Sequence, residues 1–131
     1  MRNKILIVDD HTDFRTIIRR YLEINKVAAD IFEASTAEMA IAKAACIHPD
    51  IVLMVISLQQ AIGLYAIKEI KVDTSGCDVI VRTMFEVDMF KKEVLRLGAI
   101  DFIGKSELYD RLMPAVNKCL DAKKSYAKKG K

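Results

Sequence analysis

Lys4-Ile5-Leu6-Ile7-Val8-Asp9-Asp10 is a short apolar run that ends in two adjacent carboxylates. An apolar run of this length, bounded by polar residues, predicts a buried β-strand. A second run, Ile51 to Ile56, is apolar throughout, as expected for a central parallel strand that is covered on both faces. In open parallel sheets, ligands bind beyond the carboxyl ends of the strands. Asp9 and Asp10 are therefore predicted to lie at a functional edge.

Strands and helices are predicted to alternate along the rest of the chain. Ser35-Thr36-Ala37-Glu38 has the form of a capping box that opens a helix, and His48-Pro49 ends that helix. Pro114 predicts that the last helix either kinks or begins late. The predicted strands are 4–8, 28–34, 51–56, 78–83 and 100–103, and the predicted helices are 13–24, 35–47, 64–72, 87–97 and 106–122. Five alternating pairs predict an α/β fold with a doubly wound parallel sheet and helices on both faces.

Length and charge indicate one globular domain with a basic end. The chain has 131 residues, of which 52% are hydrophobic and 30% charged, a composition that folds on its own. The formal net charge of +3 is uneven, because residues 118–131 hold six lysines against Asp121. We expect a domain over residues 1–122 and a frayed basic tail over 123–131. A slightly acidic body argues against nucleic-acid binding.

The cysteines and histidines give no metal-binding or disulfide pattern. Cys46, Cys77 and Cys119 are an odd number without CxxC spacing, and no apolar run is long enough for a secretion signal or a membrane span. A reduced cytoplasmic location is therefore expected. His11 and His48 are predicted to be surface or loop residues rather than metal ligands.

Polar residues follow three of the predicted strands. Asp9 and Asp10 follow the first strand, Thr83 ends the fourth, and Lys105 follows the fifth. Two carboxylates in a cleft suit a hard cation such as Mg²⁺. A lysine and a hydroxyl that face the same point suit a phosphoryl group. Their shared placement at strand ends predicts a phosphate-related acidic site.

With these residues, the sequence resembles the receiver domain of bacterial response regulators, from Lys4 to about Leu120. The matching stretches are Ile5-Leu6-Ile7-Val8-Asp9-Asp10, Pro49-Asp50-Ile51-Val52-Leu53-Met54, Gly63-Leu64, Val79-Ile80-Val81 with Thr83, and Gly98-Ala99-Ile100-Asp101-Phe102-Ile103-Gly104-Lys105. The resemblance implies a flavodoxin-like sheet with strand order 2-1-3-4-5. It also implies a non-enzymatic signalling module of a two-component phosphorelay.

The resemblance also implies roles for individual residues. Asp9 and Asp10 would hold Mg²⁺, with the backbone of Ser57 as a further metal ligand. Thr83 and Lys105 would contact the phosphoryl oxygens, and Phe102 would shift together with Thr83. In the family, the acceptor of the phosphoryl group is an aspartate that ends the third strand.

Val55 occupies that acceptor position in this chain. An isopropyl group is not a nucleophile, so no acyl phosphate can form on it. Loss of a carboxylate is also expected to weaken Mg²⁺ binding and to let Lys105 pair with Asp9 or Asp10. Four further departures from the family pattern, which favour natural relaxation over a single silencing substitution, are Gln59, Arg82, Met84 and Ser106.

Several functional hypotheses remain open from the sequence. The first is a phosphorylation-independent module that binds a histidine kinase, another regulator or itself through the fourth helix, fifth strand and fifth helix. The second is phosphotransfer to a substitute residue, namely Asp9, Asp10 or Ser57, or a silenced variant of an active receiver. The third, nucleic-acid binding by the lysine-rich tail, has only Tyr126 as an aromatic and no recognised motif. The acidic pair could also be no more than a solvated strand end.

Overall fold

A computed structural model describes residues 3–27, 29–56, 66–71, 76–83, 88–103 and 108–129. Five parallel strands form one sheet in the order β2-β1-β3-β4-β5. The strands are β1 (Asn3–Val8), β2 (Ala29–Ala34), β3 (Ile51–Ile56), β4 (Asp78–Thr83) and β5 (Asp101–Ile103). The predicted α/β fold and its strand order are confirmed.

Helices connect these strands, as the alternating pattern predicts. They are α1 (Thr12–Ile24), α2 (Ala37–Ile47), α3 (residues 66–71), α4 (Asp88–Arg96) and α5 (Leu108–Lys129). Gly98 follows α4 with φ of +114°, a backbone conformation that favours glycine, so the predicted end of this helix is confirmed. Among the described residues, no helix combines the length and the apolar character needed to cross a bilayer.

Side chains that alternate along the strands form two core layers, one on each face of the sheet. Leu6 and Val8 of β1 pack in the layer that contains α2 and α3 residues. Ile5 and Ile7 pack in the opposite layer with Ile18 of α1 and residues of α5. This alternation follows from the two-residue period of a strand. The continuous apolar runs of β1 and β3 are therefore explained by burial on both faces.

The start of α2 differs from the sequence prediction. Thr36, not Ser35, is the N-cap: its backbone is extended (φ −135°, ψ 162°), and its hydroxyl accepts a hydrogen bond from the Met39 amide at 3.1 Å. The Ser35 hydroxyl instead donates to the Met39 sulfur at 3.3 Å. Because the N-cap is one residue later, Glu38 is no longer at the position that closes a capping box.

The last helix also differs from the prediction. It begins at Leu108, continues through Pro114, and ends at Lys129 rather than near Ala122. The predicted alternative in which this helix begins late, at the proline, is therefore wrong. Alanine and lysine are good helix formers, which accounts for the extension of the helix past Ala122. The division into a domain over 1–122 and a basic segment over 123–131 stays a prediction.

Candidate functional site

Two acidic residues and a histidine meet where β1 ends. Asp9, Asp10 and His11 each place one potential ligand atom within 4.8 Å of the others. His11 Nδ1 lies 2.8 Å from Asp10 Oδ1 and 3.3 Å from Asp9 Oδ1. The His11 amide also donates to Asp9 Oδ1 at 3.0 Å, which fixes this carboxylate at the entry to α1.

Asp9 is the buried member of this group. Its side chain is only 2% exposed, whereas that of Asp10 is 47% exposed. Among the described residues, Asp9 Oδ2 has no hydrogen-bond partner. Burial raises the pKa of Asp9, and the hydrogen bonds from His11 oppose this rise only in part. The site thus contains a carboxylate whose ionised form is destabilised by burial.

Arg15 of α1 holds the end of β1 in place. Its Nη1 donates to the Asp9 carbonyl oxygen at 2.6 Å, and its Nε donates to Glu33 Oε1 on β2 at 3.0 Å. Glu33 also pairs with Arg19, one turn further along α1. Burial by itself would raise the pKa of Glu33, but the hydrogen bonds from Arg19 and Arg15 outweigh burial and lower it. These ion pairs connect the acidic site to the edge strand.

Val55 and Arg82 lie side by side next to the acidic pair. Val55 of β3 and Arg82 of β4 are register partners in the parallel sheet. Both are buried, with 7% and 8% of their surface exposed. The Arg82 guanidinium carbon is 4.1 Å from the centre of the Phe14 ring on α1, a cation–π contact.

A cavity of about 550 Å³ joins these residues at the carboxyl edge of the sheet. Its lining is mixed, because charged groups lie beside apolar side chains. The lining residues are Asp9, Asp10, His11, Thr12, Asp13, Phe14, Ile17, Val55 and Arg82. The sequence prediction that the acidic pair and position 55 share one edge agrees with this cavity.

The other predicted site residues fall into two groups. Thr83 ends β4 opposite Ile56, and Phe102 of β5 is 5% exposed within the core layer that contains Val81 and Val94. Their switch roles stay predictions. The remaining predicted or atypical positions lie outside the described residues, and they are Ser57, Gln59, Met84, Lys105 and Ser106.

Sequence reasoning missed two members of the site. His11 is exposed between β1 and α1, in agreement with the prediction of a surface or loop residue, but its contact with both carboxylates of the preceding pair was not predicted. Its position directly after Asp9-Asp10 was a usable signal. Phe14 was read only as an apolar position of α1, and its contact with Arg82 depends on how α1 packs against β4. His48 ends α2 in the left-handed conformation and is exposed, as predicted.

Among the described residues, the donor set fits a tightly bound magnesium ion poorly, and Ser57, the further ligand that the resemblance implies, lies outside them. Asp9 and Asp10 supply carboxylate oxygens, and the Asp9 oxygen that lacks a hydrogen bond could accept a cation. Magnesium prefers oxygen ligands in octahedral geometry, yet the third group here is an imidazole and the neighbouring strand end is Val55. The Arg82 guanidinium adds a positive charge to the same cavity. Weakened Mg²⁺ binding at this site stays a prediction.

Comparison with known proteins agrees with the fold. The family model of the response regulator receiver domain matches residues 5–117. The chain belongs to this family, which serves in two-component signalling. The family assignment that the sequence motifs predict is thereby confirmed.

Individual relatives show the same relationship. The chain is 32% identical to the chemotaxis protein CheY of Bacillus subtilis (strain 168) over 121 residues, 92% of this chain and 100% of that protein. It is 33% identical over 120 residues to protein-glutamate methylesterase/protein-glutamine glutaminase 1 of Methanosarcina acetivorans, covering 90% of this chain and 34% of that protein. The chain spans less than half the length of several relatives that it matches.

A solved structure shares the architecture over most of the chain. It is a two-component response regulator of the LuxR family from Aurantimonas sp. SI85-9A1. The TM-score is 0.83 at 27% sequence identity, and the alignment covers 93% of this chain and 87% of that one. Receiver domains are signalling modules, and the catalytic activity named for the methylesterase relative belongs to a protein about three times as long.

Proposed function

We propose that this protein is a receiver-like signalling module that acts through phosphorylation-independent binding to another protein. The observation that carries the proposal is Val55, which lines the acidic cavity at the end of β3. The family resemblance expects an aspartate nucleophile there. A valine cannot attack a phosphodonor, so this position cannot be covalently phosphorylated.

The first experiment asks whether the wild-type chain accepts a phosphoryl group. The purified protein is incubated with acetyl phosphate and Mg²⁺, and separately with phosphorylated histidine kinases from the same genome. We expect no gain in intact mass and no movement of the amide chemical shifts around Asp9 and Val55. A receiver with an intact acceptor aspartate is the positive control.

The same mass measurement tests the alternative that a substitute residue accepts the phosphoryl group. A mass gain of one phosphoryl group would contradict the proposal. If that gain disappeared in Asp10→Asn or Ser57→Ala, the substituted residue would be the acceptor. Asp10 is the more accessible carboxylate of the pair, so its variant is measured first.

We further propose that the partner binds the face made by α4, β5 and α5. Leu95 of α4 and Ile100, directly before β5, are large apolar residues with 39% and 49% of their surface exposed. Arg111 of α5 supports this face by pairing with Asp101 at 2.7 Å and by donating to the Phe102 carbonyl oxygen at 2.9 Å. Exposed apolar side chains on a braced surface suit protein contact.

Binding to histidine kinases and response regulators of the same genome is measured without any phosphodonor. Self-association of the chain is measured by sedimentation. Leu95→Asp and Ile100→Asp are expected to weaken binding at least about tenfold, because each places a charge in an apolar contact. Ile24→Asp on α1 is the matched control, since Ile24 is 76% exposed. Equal losses in all three variants would argue against the proposed face.

We also propose that the protein is cytoplasmic, has no catalytic activity, holds Mg²⁺ weakly at most, and does not bind nucleic acid. The mixed charge of the cavity supports weak metal binding. Fluorescence anisotropy with single-stranded and duplex oligonucleotides tests the last point. We expect no salt-dependent binding, and a clear salt dependence would favour a role for the lysines near the end of the chain.

A further inference from the structure

His11 is an unusual residue for its place in the fold. It is the N-cap of α1, where serine, threonine, aspartate and asparagine are preferred because their oxygens accept hydrogen bonds from the first amides of a helix. The His11 side chain makes no such hydrogen bond, and 71% of it is exposed. Its Nδ1 lies instead 2.8 Å from Asp10 Oδ1 and 3.3 Å from Asp9 Oδ1. The imidazole is therefore part of the acidic group and not of the helix cap.

Asp9 presents a carboxylate oxygen that no described group satisfies. The Asp9 side chain is 2% exposed, and its Oδ2 has no hydrogen-bond partner among the described residues. Its Oδ1 accepts from the His11 amide at 3.0 Å, and its backbone carbonyl oxygen accepts from Arg15 at 2.6 Å, so the residue is held in place. A buried carboxylate oxygen without a partner is unfavourable. A cation bound at Oδ2 would remove this penalty.

The spacing of the three side chains matches the ligands of one metal ion. Asp9, Asp10 and His11 each place a potential ligand atom within 4.8 Å of the others, and all three line the cavity at the carboxyl edge of the sheet. Zinc binds imidazole nitrogen and carboxylate oxygen at about 2.1 Å, so two ligand atoms of a tetrahedral site are about 3.4 Å apart. The distances of 2.8 and 3.3 Å from His11 Nδ1 are close to this value. Small rotations of the exposed Asp10 and His11 side chains are enough for the three groups to converge on one ion.

The chemical type of these donors favours a transition metal over magnesium. Imidazole is a good ligand for zinc, copper and nickel, whereas magnesium takes oxygen ligands. Two carboxylates balance the charge of a dication. Val55, at the end of the neighbouring strand, supplies no further oxygen for an octahedral magnesium shell. The positive charge of Arg82 in the same cavity opposes every dication equally, so it does not change the order of preference.

We propose that Asp9, Asp10 and His11 form a binding site for a divalent transition metal of the zinc class. The ligands are Asp9 Oδ2, one carboxylate oxygen of Asp10 and His11 Nδ1, and water completes the coordination. The sequence alone predicted no metal-binding role for His11, because its contact with the carboxylates depends on the turn from β1 into α1. The inference goes beyond the proposed function, which concerns protein binding and weak magnesium binding.

Zn²⁺ and Mg²⁺ binding to the untagged full chain is measured by isothermal titration calorimetry, and the imidazole resonances are followed by NMR. The wild type is expected to bind Zn²⁺ at least about a hundredfold more tightly than Mg²⁺, with a shift of the His11 ring resonances. His11→Gln should weaken Zn²⁺ binding at least about tenfold and leave Mg²⁺ affinity within about twofold, because only zinc uses the imidazole. Asp10→Asn should weaken the binding of both ions. Far-ultraviolet circular dichroism verifies that each variant is folded.

Two control variants separate this site from other zinc ligands on the surface. His48→Gln removes the other histidine, which is exposed, and Cys46→Ser removes an exposed thiol. Each should bind Zn²⁺ within about twofold of the wild-type affinity. Wild-type Zn²⁺ affinity in His11→Gln, or loss of Zn²⁺ binding in Cys46→Ser, would overturn the inference. The phosphorylation experiment that tests the proposed function contains no zinc, so the two proposals fail independently.

Discussion

Asp9 is a buried carboxylate at the candidate site, and burial makes its ionised form unfavourable. Its carboxylate is almost fully buried, and burial raises its pKa above the ordinary value of 3.8. The folded state therefore holds this proton more tightly than the unfolded state does. The ionised form destabilises the fold, and this penalty is absent below pH 3.8 and complete above the raised pKa.

Asp9→Asn is accordingly expected to stabilise the protein by about 1 kcal/mol at neutral pH, because the buried charge is removed. The amide oxygen can still accept the hydrogen bond from the His11 backbone. The gain should vanish as the pH falls below the ordinary aspartate range. Urea denaturation at several pH values measures it.

Asp10→Asn is the control for this prediction, since the Asp10 side chain is nearly half exposed. It should leave the free energy of unfolding close to that of the wild type. A loss of stability in Asp9→Asn at neutral pH would mean that the carboxylate is fully compensated in the folded protein, and the argument from burial would then be wrong.

At the scale of elements, α1 is tied to the sheet by one glutamate. Glu33 on β2 pairs with Arg15 and Arg19, and its backbone carbonyl accepts a hydrogen bond from Lys43 of α2 at 2.5 Å. Its lowered pKa means that the folded state favours the ionised form. This stability is present above the unfolded pKa and is lost as the pH falls through the lower folded pKa.

Glu33→Gln should therefore lower the free energy of unfolding by about 1 kcal/mol at pH 7, and the difference should shrink in acid. Chemical denaturation at neutral and acidic pH tests both statements. Glu93→Gln provides a matched control, because Glu93 makes an exposed pair with Arg96 within a single helix. A similar loss of stability in both variants would show that an ion pair between two elements stabilises the protein no more than one within a helix.

The start of α2 gives a second prediction at this scale. Thr36→Ala removes the hydroxyl that accepts from the Met39 amide and should destabilise the protein by about 1 kcal/mol. Ser35→Ala should have little effect, because the Ser35 hydroxyl donates to a thioether sulfur, which is a weak acceptor. Thermal denaturation of the two variants compares them directly. If Ser35→Ala were the more destabilising variant, Ser35 would be the N-cap, as the capping box predicted from the sequence requires.

For the whole molecule, the hydrophobic core extends into the last helix. Cys119 of α5 is buried in the core, whereas Asp121 and Ala122 are exposed. The helix nevertheless continues to Lys129. Cys119 is thus the last buried position of α5 among the side chains that the structure describes.

Removal of residues 123–131 is therefore expected to leave the melting temperature within about 2 °C of the full chain, because this deletion keeps every position that is buried among the described residues. Differential scanning fluorimetry measures this. A cut after Pro114 is the contrasting variant, since it deletes the buried Ala115, Val116 and Cys119 and should abolish cooperative unfolding. A large destabilisation by the shorter deletion would move the domain boundary towards the end of the chain.

Apolar runs predicted the sheet, family motifs predicted its strand order, and polar residues at strand ends predicted the acidic edge that includes Val55. These features follow from apolar runs of strand length and from polar residues at strand ends, and both patterns are local in the sequence. The N-cap of α2 and the end of α5 were predicted less well, because neighbouring residues compete for a cap and good helix formers leave no clear stop signal.

The side chains that share the cavity, in contrast, are brought together by packing between distant parts of the chain. Arg82 was visible as a charge in an apolar strand, but its pairing with Val55 depends on the β3–β4 register and its contact with Phe14 depends on the packing of α1. His11 joined the acidic pair because the chain turns there from strand to helix. Distances between residues far apart in sequence are fixed by packing, so no local pattern could reveal them.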